Sequence, residues 1–247
     1  KEMTYIDEPD KKQKHPHYEH RAAKLDYKDN AFSCKKFQHV RKDCSQKYLL
    51  KSFARIGKLL NNYSPSIINP NDLDKVCFIL INDYDENDKE LGVGPLNDGY
   101  LVGLKHHRLG FKIFYLYNSR IEDFTRFLGF FMKNTSKSLT VFYSGRDDSS
   151  EGIEFNKSSL SKSTIEKIMT ENCNGQARVM FITDCLGGGS VFDIGGCTNT
   201  ISFSVKKIGP SESKEVKQSH GIFTYYFCKI TSESPNITPS RLIERMN

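Results

Sequence analysis

Two short segments hold the residues best able to do chemistry. Ser144-Gly145-Arg146-Asp147 follows the apolar run Val141-Phe142-Tyr143, and Asp184-Cys185-Leu186 follows Met180-Phe181-Ile182-Thr183. These are the materials of thiol chemistry. A cationic neighbour lowers a thiol's pKa towards the thiolate, which is the species that attacks. Three glycines, Gly187 to Gly189, come next and could cradle a phosphate. The Gly-Lys-Ser/Thr signature and its spacing are missing, so a plain turn is the better reading. His15, His17 and His20 are spaced poorly around Pro16 for metal binding and read as a polar segment. The seven cysteines are odd in number and widely spaced, with no Cys-x-x-Cys pair. Neither a disulfide framework nor a zinc site is indicated, no metal site is expected, and the location expected is intracellular, cytoplasmic. The Asn-x-Ser/Thr sequons at Asn62, Asn134, Asn156 and Asn236 arise easily in an Asn-rich chain.

The elements that must position these segments follow from hydrophobic period. Val76 to Ile81 is a continuous apolar run, the mark of a strand buried on both faces. Leu96, Tyr100, Leu101 and Leu104 recur at helical spacing, as do Ile121, Phe124, Leu128 and Phe131. Phe111 to Tyr117, Ser138 to Ser144, Arg178 to Asp184 and Thr200 to Val205 read as further strands. A polar, hairpin-like stretch follows the third strand, and Ser163 reads as the cap of a helix through Ile165 and Met169. Gly221 to Ile230 and a short segment opened by Pro239 complete the helices. The order predicts an α/β sandwich, a mostly parallel sheet covered on both faces. In such sheets chemistry gathers at the carboxyl ends of the strands.

Charge divides the 247-residue chain. Residues 1–73 hold 15 Lys and Arg against 9 Asp and Glu, while the remainder is balanced at 21 of each. This predicts a basic N-terminal arm, helical or extended, over residues 1–73, and a globular body over 74–247. Nucleic acid is a possible partner for the arm, but its charges are mixed in sign and it lacks the stacking aromatics of RNA modules. A solvated arm that docks on a protein partner is favoured. No apolar run reaches the roughly 18 residues of a membrane span.

The body resembles the caspase/metacaspase family of cysteine proteases, and metacaspases in particular. Lys75 to Tyr84 is similar to the family's first strand and its following Asn-Tyr. Glu90 to Asp98 is similar to E-L-x-G-C-x-N-D. Phe142-Tyr143-Ser144-Gly145 matches the start of F-Y-S-G-H-G, and Asp184 to Asp193 can be laid without a gap on D-C-C-H-S-G-S-V-L-D. His220 to Tyr225 resembles H-G-A-F-T-Y. The resemblance implies a caspase-like three-layer sandwich with a His at the end of the third strand assisting a Cys at the end of the fourth.

Here Arg146 stands at the His position, and the gapless register puts Leu186 at the Cys position. A one-residue shift makes Cys185 the counterpart of the nucleophile instead. Either register lacks the base, because arginine stays protonated with a pKa above ~12. Losing a positioned base typically removes about two to four orders of magnitude of rate. His106, His107 and His220 read as ordinary helix residues rather than rescuers. The substrate side matches better. Asp98, Ser144 and Asp184 stand at the positions of an acidic pocket for Arg or Lys, with Pro95 in place of a pocket Cys. Arg146 either turns to Asp184 or Asp98 and neutralises them, or pairs with Asp147, Asp148 or Glu151. Of the calcium-binding aspartates implied by the resemblance only Asp193 is matched, too few for a site. The expectation is an inactive metacaspase-like pseudoprotease, acting as a binding, scaffold or regulatory protein or as a subunit of an assembly. The alternative is an active cysteine protease using Cys185.

Overall fold

The computed structural model describes residues 35–84, 91–148, 152–156, 158–185, 199–204, 222–234 and 237–246. The chain divides into two compact units, Lys1–Val40 and Arg41–Asn247.

The frame is a parallel sheet. In chain order its strands are β1 (Gly57–Leu59), β2 (Lys75–Ile81), β3 (Lys112–Tyr117), β4 (Ser138–Gly145), β8 (Arg178–Cys185) and β9 (Thr200–Ser204). They lie side by side as β1-β3-β2-β4-β8-β9. Between β4 and β8, the strands β5 (Asp147–Asp148), β6 (Gly152–Glu154) and β7 (Ser159–Ser161) form a small antiparallel ribbon, where the sequence reads as hairpin-like. The helices are α1 (Lys35–Ile56), α2 (Gly94–Arg108), α3 (Ile121–Asn134), α4 (Lys162–Asn172), α5 (Ile222–Glu233) and α6 (Pro239–Met246). The apolar runs therefore become strands, and the 3.6-period segments become the helices that cover them.

Strand alternation sorts the core into two layers. Val76, Phe78 and Leu80 of β2 face one side, with Val141, Phe181 and the α3 stripe Phe124, Phe127 and Phe131. Cys77, Ile79 and Ile81 face the other, with Leu96 and Val102 of α2, Ile182, and Phe223 and Phe227 of α5. Burial on both faces is what a parallel sheet demands, and it explains the unbroken apolar run of β2.

Two local readings are corrected. The sheet begins earlier than residue 74: Gly57 to Leu59 pairs with Ile113 to Tyr115 as an edge strand, and Phe53 of α1 stacks on Tyr115 at 4.0 Å between ring centroids. The α4 cap is Ser161 rather than Ser163. Its Oγ accepts the Thr164 amide at 3.3 Å, and β7 delivers the chain to that point. Ser161→Ala should therefore cost about 1 kcal/mol, read as a lower urea midpoint at unchanged slope.

Candidate active site

The carboxyl ends of β2, β4 and β8 lie next to one another. In register, Ile81 stands beside Ser144, Ser144 beside Asp184, and Gly145 beside Cys185.

On the α2/α5 face these ends form an acidic cluster. Asp98, in the second turn of α2 and only 2% exposed, accepts a hydrogen bond from the Ser144 hydroxyl at 3.3 Å. The helix can seat there because residue 99 is glycine. A Cβ at that point would stand 2.6 Å from Ile81 Cδ1, so a larger residue would lift α2, and Asp98 with it, off β2. Asp184 Oδ2 accepts the backbone N–H of Thr224, in the first turn of α5, at 2.8 Å. Burial raises the Asp184 pKa to about 7, and the negative charge of Asp98 adds to the shift. The Thr224 hydrogen bond opposes them and is outweighed. Near neutral pH, then, Asp184 exchanges a proton readily, and a cation placed beside it would displace that proton. The Thr224 hydroxyl is fully buried beside the same carboxylate and, with the backbone N–H, works against the upward shift. Behind the pair lie Cys228 of α5, whose thiol burial pushes up to about 12, and Lys105 of α2, lowered from its ordinary value by burial.

At Arg146 the backbone is clamped and the side chain is not. The Arg146 N–H donates to the Tyr84 hydroxyl at 2.9 Å, and that hydroxyl donates on to the Glu154 carbonyl at 2.8 Å. The Tyr143 hydroxyl donates to the Arg146 carbonyl. Both tyrosines stay protonated because burial raises them, Tyr84 to about 12. Tyr84 reaches this position at φ +58, in the left-handed region that costs a bulky residue strain. Gly145 is required between the clamped residues, since a Cβ there would stand 2.6 Å from the Tyr143 hydroxyl. The Arg146 guanidinium lies 6.0 Å from the centre of the Tyr84 ring, and its Nε has no hydrogen-bond partner. Among the described residues no ion pair joins it to Asp98 or Asp184. Of the two sets of partners the sequence leaves open for Arg146, the Asp98/Asp184 pair forms no ion pair with it, and the guanidinium lies over Tyr84 instead. The competing partners Asp148 and Glu151 have no described side chains, nor has Asp147.

Cys185 points the other way. Neighbours along a strand face opposite sides of the sheet. With Asp184 turned to α5, the Cys185 side chain is 8% exposed and packs among Tyr143, Phe181 and the α3/α4 layer. Leu186, Asp193 and His220 lie outside the described residues. Asp83 is absorbed into structure: the Tyr117 hydroxyl and the Asn118 amide, the latter at 2.6 Å, both donate to its carboxylate. His106 is a core residue bonded to the Val102 carbonyl and packed edge-on to Phe111, and burial lowers it to about 4. His107 is exposed. Among the described residues no three His, Cys, Asp or Glu side chains gather as a metal set.

No protein-family model and no curated protein matches the chain. Solved structures do. The structure of pro-sf-caspase-1 matches with a TM-score of 0.50 at 12% identity, over 78% of this chain and 80% of that one. The fold is caspase-like. The crystal structure of caspase-1 from Spodoptera frugiperda matches with a TM-score of 0.49 at 14% identity, over 70% and 75% of the two chains. At such identities the likeness concerns the path of the chain, and the side chains must be argued on their own.

On this caspase-like sheet Asp98, Ser144 and Asp184 lie together, Asp98 through the Ser144 hydroxyl and Asp184 beside Ser144 in register. Residue-by-residue reading overlooked Tyr84, Tyr143 and Thr224 as working parts. A buried aromatic directly after an apolar strand was the available signal for Tyr84. Phe-Thr-Tyr at the start of a helix was the signal for Thr224. No helix among the described residues is long and apolar enough to cross a membrane.

Proposed function

We propose that this chain is a metacaspase-like pseudoprotease, which captures a basic segment of a protein partner without cutting it. The observation that carries the reading is the division of the site between two faces of one strand. Asp184, with Asp98 and Ser144, faces α2 and α5, whereas the Cys185 sulfur is buried in the opposite layer. A basic side chain held by the acidic cluster has Cys185 on the far face of the sheet, and the nearer Cys228 thiol is pushed up to about 12 by burial. Arg146, at the position where the resemblance requires a proton acceptor, is a permanent cation. Among the described residues Arg146 forms no ion pair with Asp98 or Asp184, so the cluster is not closed by that cation, which favours binding over turnover. Cys77, Cys173, Cys185 and Cys228 are free thiols, which suits a scaffold or regulatory protein of a reducing interior.

The test is a fluorogenic peptide ending in Arg or Lys, assayed with and without calcium on the full chain and on Cys185→Ala. The expected result is the same background rate for both proteins. Turnover that disappears in Cys185→Ala would establish a working protease instead. Titration of the same chain with a basic peptide should show saturable binding that weakens with salt.

A further inference from the structure

We infer that Asn174 is a site of self-modification. When the joint between α3 and β8 opens, the Gly175 nitrogen converts the Asn174 amide to a carboxylate, and the product cannot close the joint again. The step needs only water and lies at the amino end of β8, the opposite end of that strand from the acidic cluster.

Asn174-Gly175 is the only Asn-Gly step in the chain. It falls between α4 and β8, and Gly175 is exposed at φ +69 with open space where a Cβ would stand. Glycine leaves its own nitrogen unshielded, so in this dipeptide the side-chain amide is unusually open to attack by the following peptide nitrogen. That nitrogen gives up its proton and bonds to Asn174 Cγ. The Cγ–Nδ2 bond breaks, and Nδ2 leaves with the proton as ammonia. Water then opens the five-membered imide at either carbonyl, giving aspartate or isoaspartate and releasing one proton. A cavity of about 410 Å3, lined in part by Asn174, Lys133, Thr135 and Gln176, brings water to the joint.

The folded chain holds this reaction back. An asparagine side chain has two N–H donors and two acceptor lone pairs, and Asn174 uses all four. At the end of α3, Nδ2 donates to the Lys133 carbonyl at 3.0 Å and to the Thr135 carbonyl at 2.8 Å. On the way into β8, Oδ1 accepts the Gln176 N–H at 2.9 Å and the Ala177 N–H at 3.3 Å. Expelling Nδ2 severs both bonds to α3, so ring closure belongs to the moments when the joint is open. Once made, the carboxylate has no N–H to offer and sets a negative charge against two carbonyl oxygens. Isoaspartate also adds a methylene to the main chain of the turn. Conversion therefore marks a chain whose joint has opened, and keeps it open.

The experiment incubates the full chain near pH 8 in buffer and in unfolding urea, then follows amide-to-acid conversion at each asparagine by digestion and mass spectrometry. In urea Asn174 should convert ahead of every other asparagine, and in buffer about ten- to a hundredfold more slowly than in urea. Gly175→Ala should slow the urea reaction about tenfold by shielding the nitrogen, a reading that needs no folded variant. Asn174→Asp makes one of the two products directly. It should unfold at a lower urea midpoint than wild type and exchange the Gln176 and Ala177 amide hydrogens faster. Equal rates in buffer and urea would mean that the joint does not restrain the step, and would overturn the inference. So would conversion of other asparagines before Asn174 in urea, or an Asn174→Asp chain as stable as wild type.

Discussion

Asp184→Asn is expected to stabilise the folded chain at pH 8 and to weaken its hold on a basic side chain about a hundredfold. The two effects share one cause. Burial and the charge of Asp98 raise Asp184 to about 7, well above the value of an exposed aspartate. Between about pH 4 and 7 the folded state therefore binds a proton that the unfolded chain releases. Stability conferred by that proton is full below the unfolded pKa and is lost as pH rises through the folded one. At pH 8 the wild type carries two carboxylates in a poorly solvated cluster. Asparagine removes one charge and keeps an oxygen for the Thr224 amide, a gain on the order of 2 kcal/mol. Binding runs in the opposite direction, since a cation needs the ionised form, so wild-type affinity should climb from pH 6 to 8 and that of the variant should stay flat. Melting curves at pH 5 and 8, paired with peptide titrations, test the argument. A variant no more stable than wild type at pH 8, or one that keeps its affinity, would break it. Binding sites often carry charge at the expense of stability, and this cluster has the form such a site takes.

Tyr84→Phe should destabilise the chain by about 2–4 kcal/mol, although it removes a single oxygen. That oxygen accepts the Arg146 amide and donates to the Glu154 carbonyl, and the side chain is fully buried. Phenylalanine would leave the amide without an acceptor and take a donor from the carbonyl, with no water admitted to replace it. The carbonyl keeps the Asn82 amide at 3.0 Å, so most of the loss falls on Arg146. Urea unfolding gives the magnitude. Hydrogen exchange gives the place, with faster exchange at Arg146. A change under about 0.5 kcal/mol would mean that the clamp contributes nothing.

What the sequence disclosed depended on how local the cause was. The strand at Val76 to Ile81 was legible because burial on both faces demands an unbroken apolar run. The meeting of Asp98, Ser144 and Asp184 was legible because parallel strands bring their carboxyl ends together and the family motifs name the helix that packs there. The edge strand Gly57 to Leu59 was not, since its three residues have no period and owe their conformation to the Ile113–Tyr115 partner. The direction of Arg146 was open for a related reason. Charge alone suggested an aspartate, whereas the guanidinium lies over Tyr84, 62 residues earlier, which turns through a positive φ to reach it. Choosing between Ser161 and Ser163 as the cap needed the ribbon strand that ends at Ser161.

The seat of Cys185 has a practical consequence. A sulfur enclosed among Tyr143 and Phe181 meets an alkylating reagent only when the sheet end parts, whereas the half-exposed Cys173 meets it in the native fold. The slow thiol is thus a built-in clock for opening of the central strands. Its labelling rate should follow denaturant and temperature, and should take little notice of what occupies the cleft on the other side.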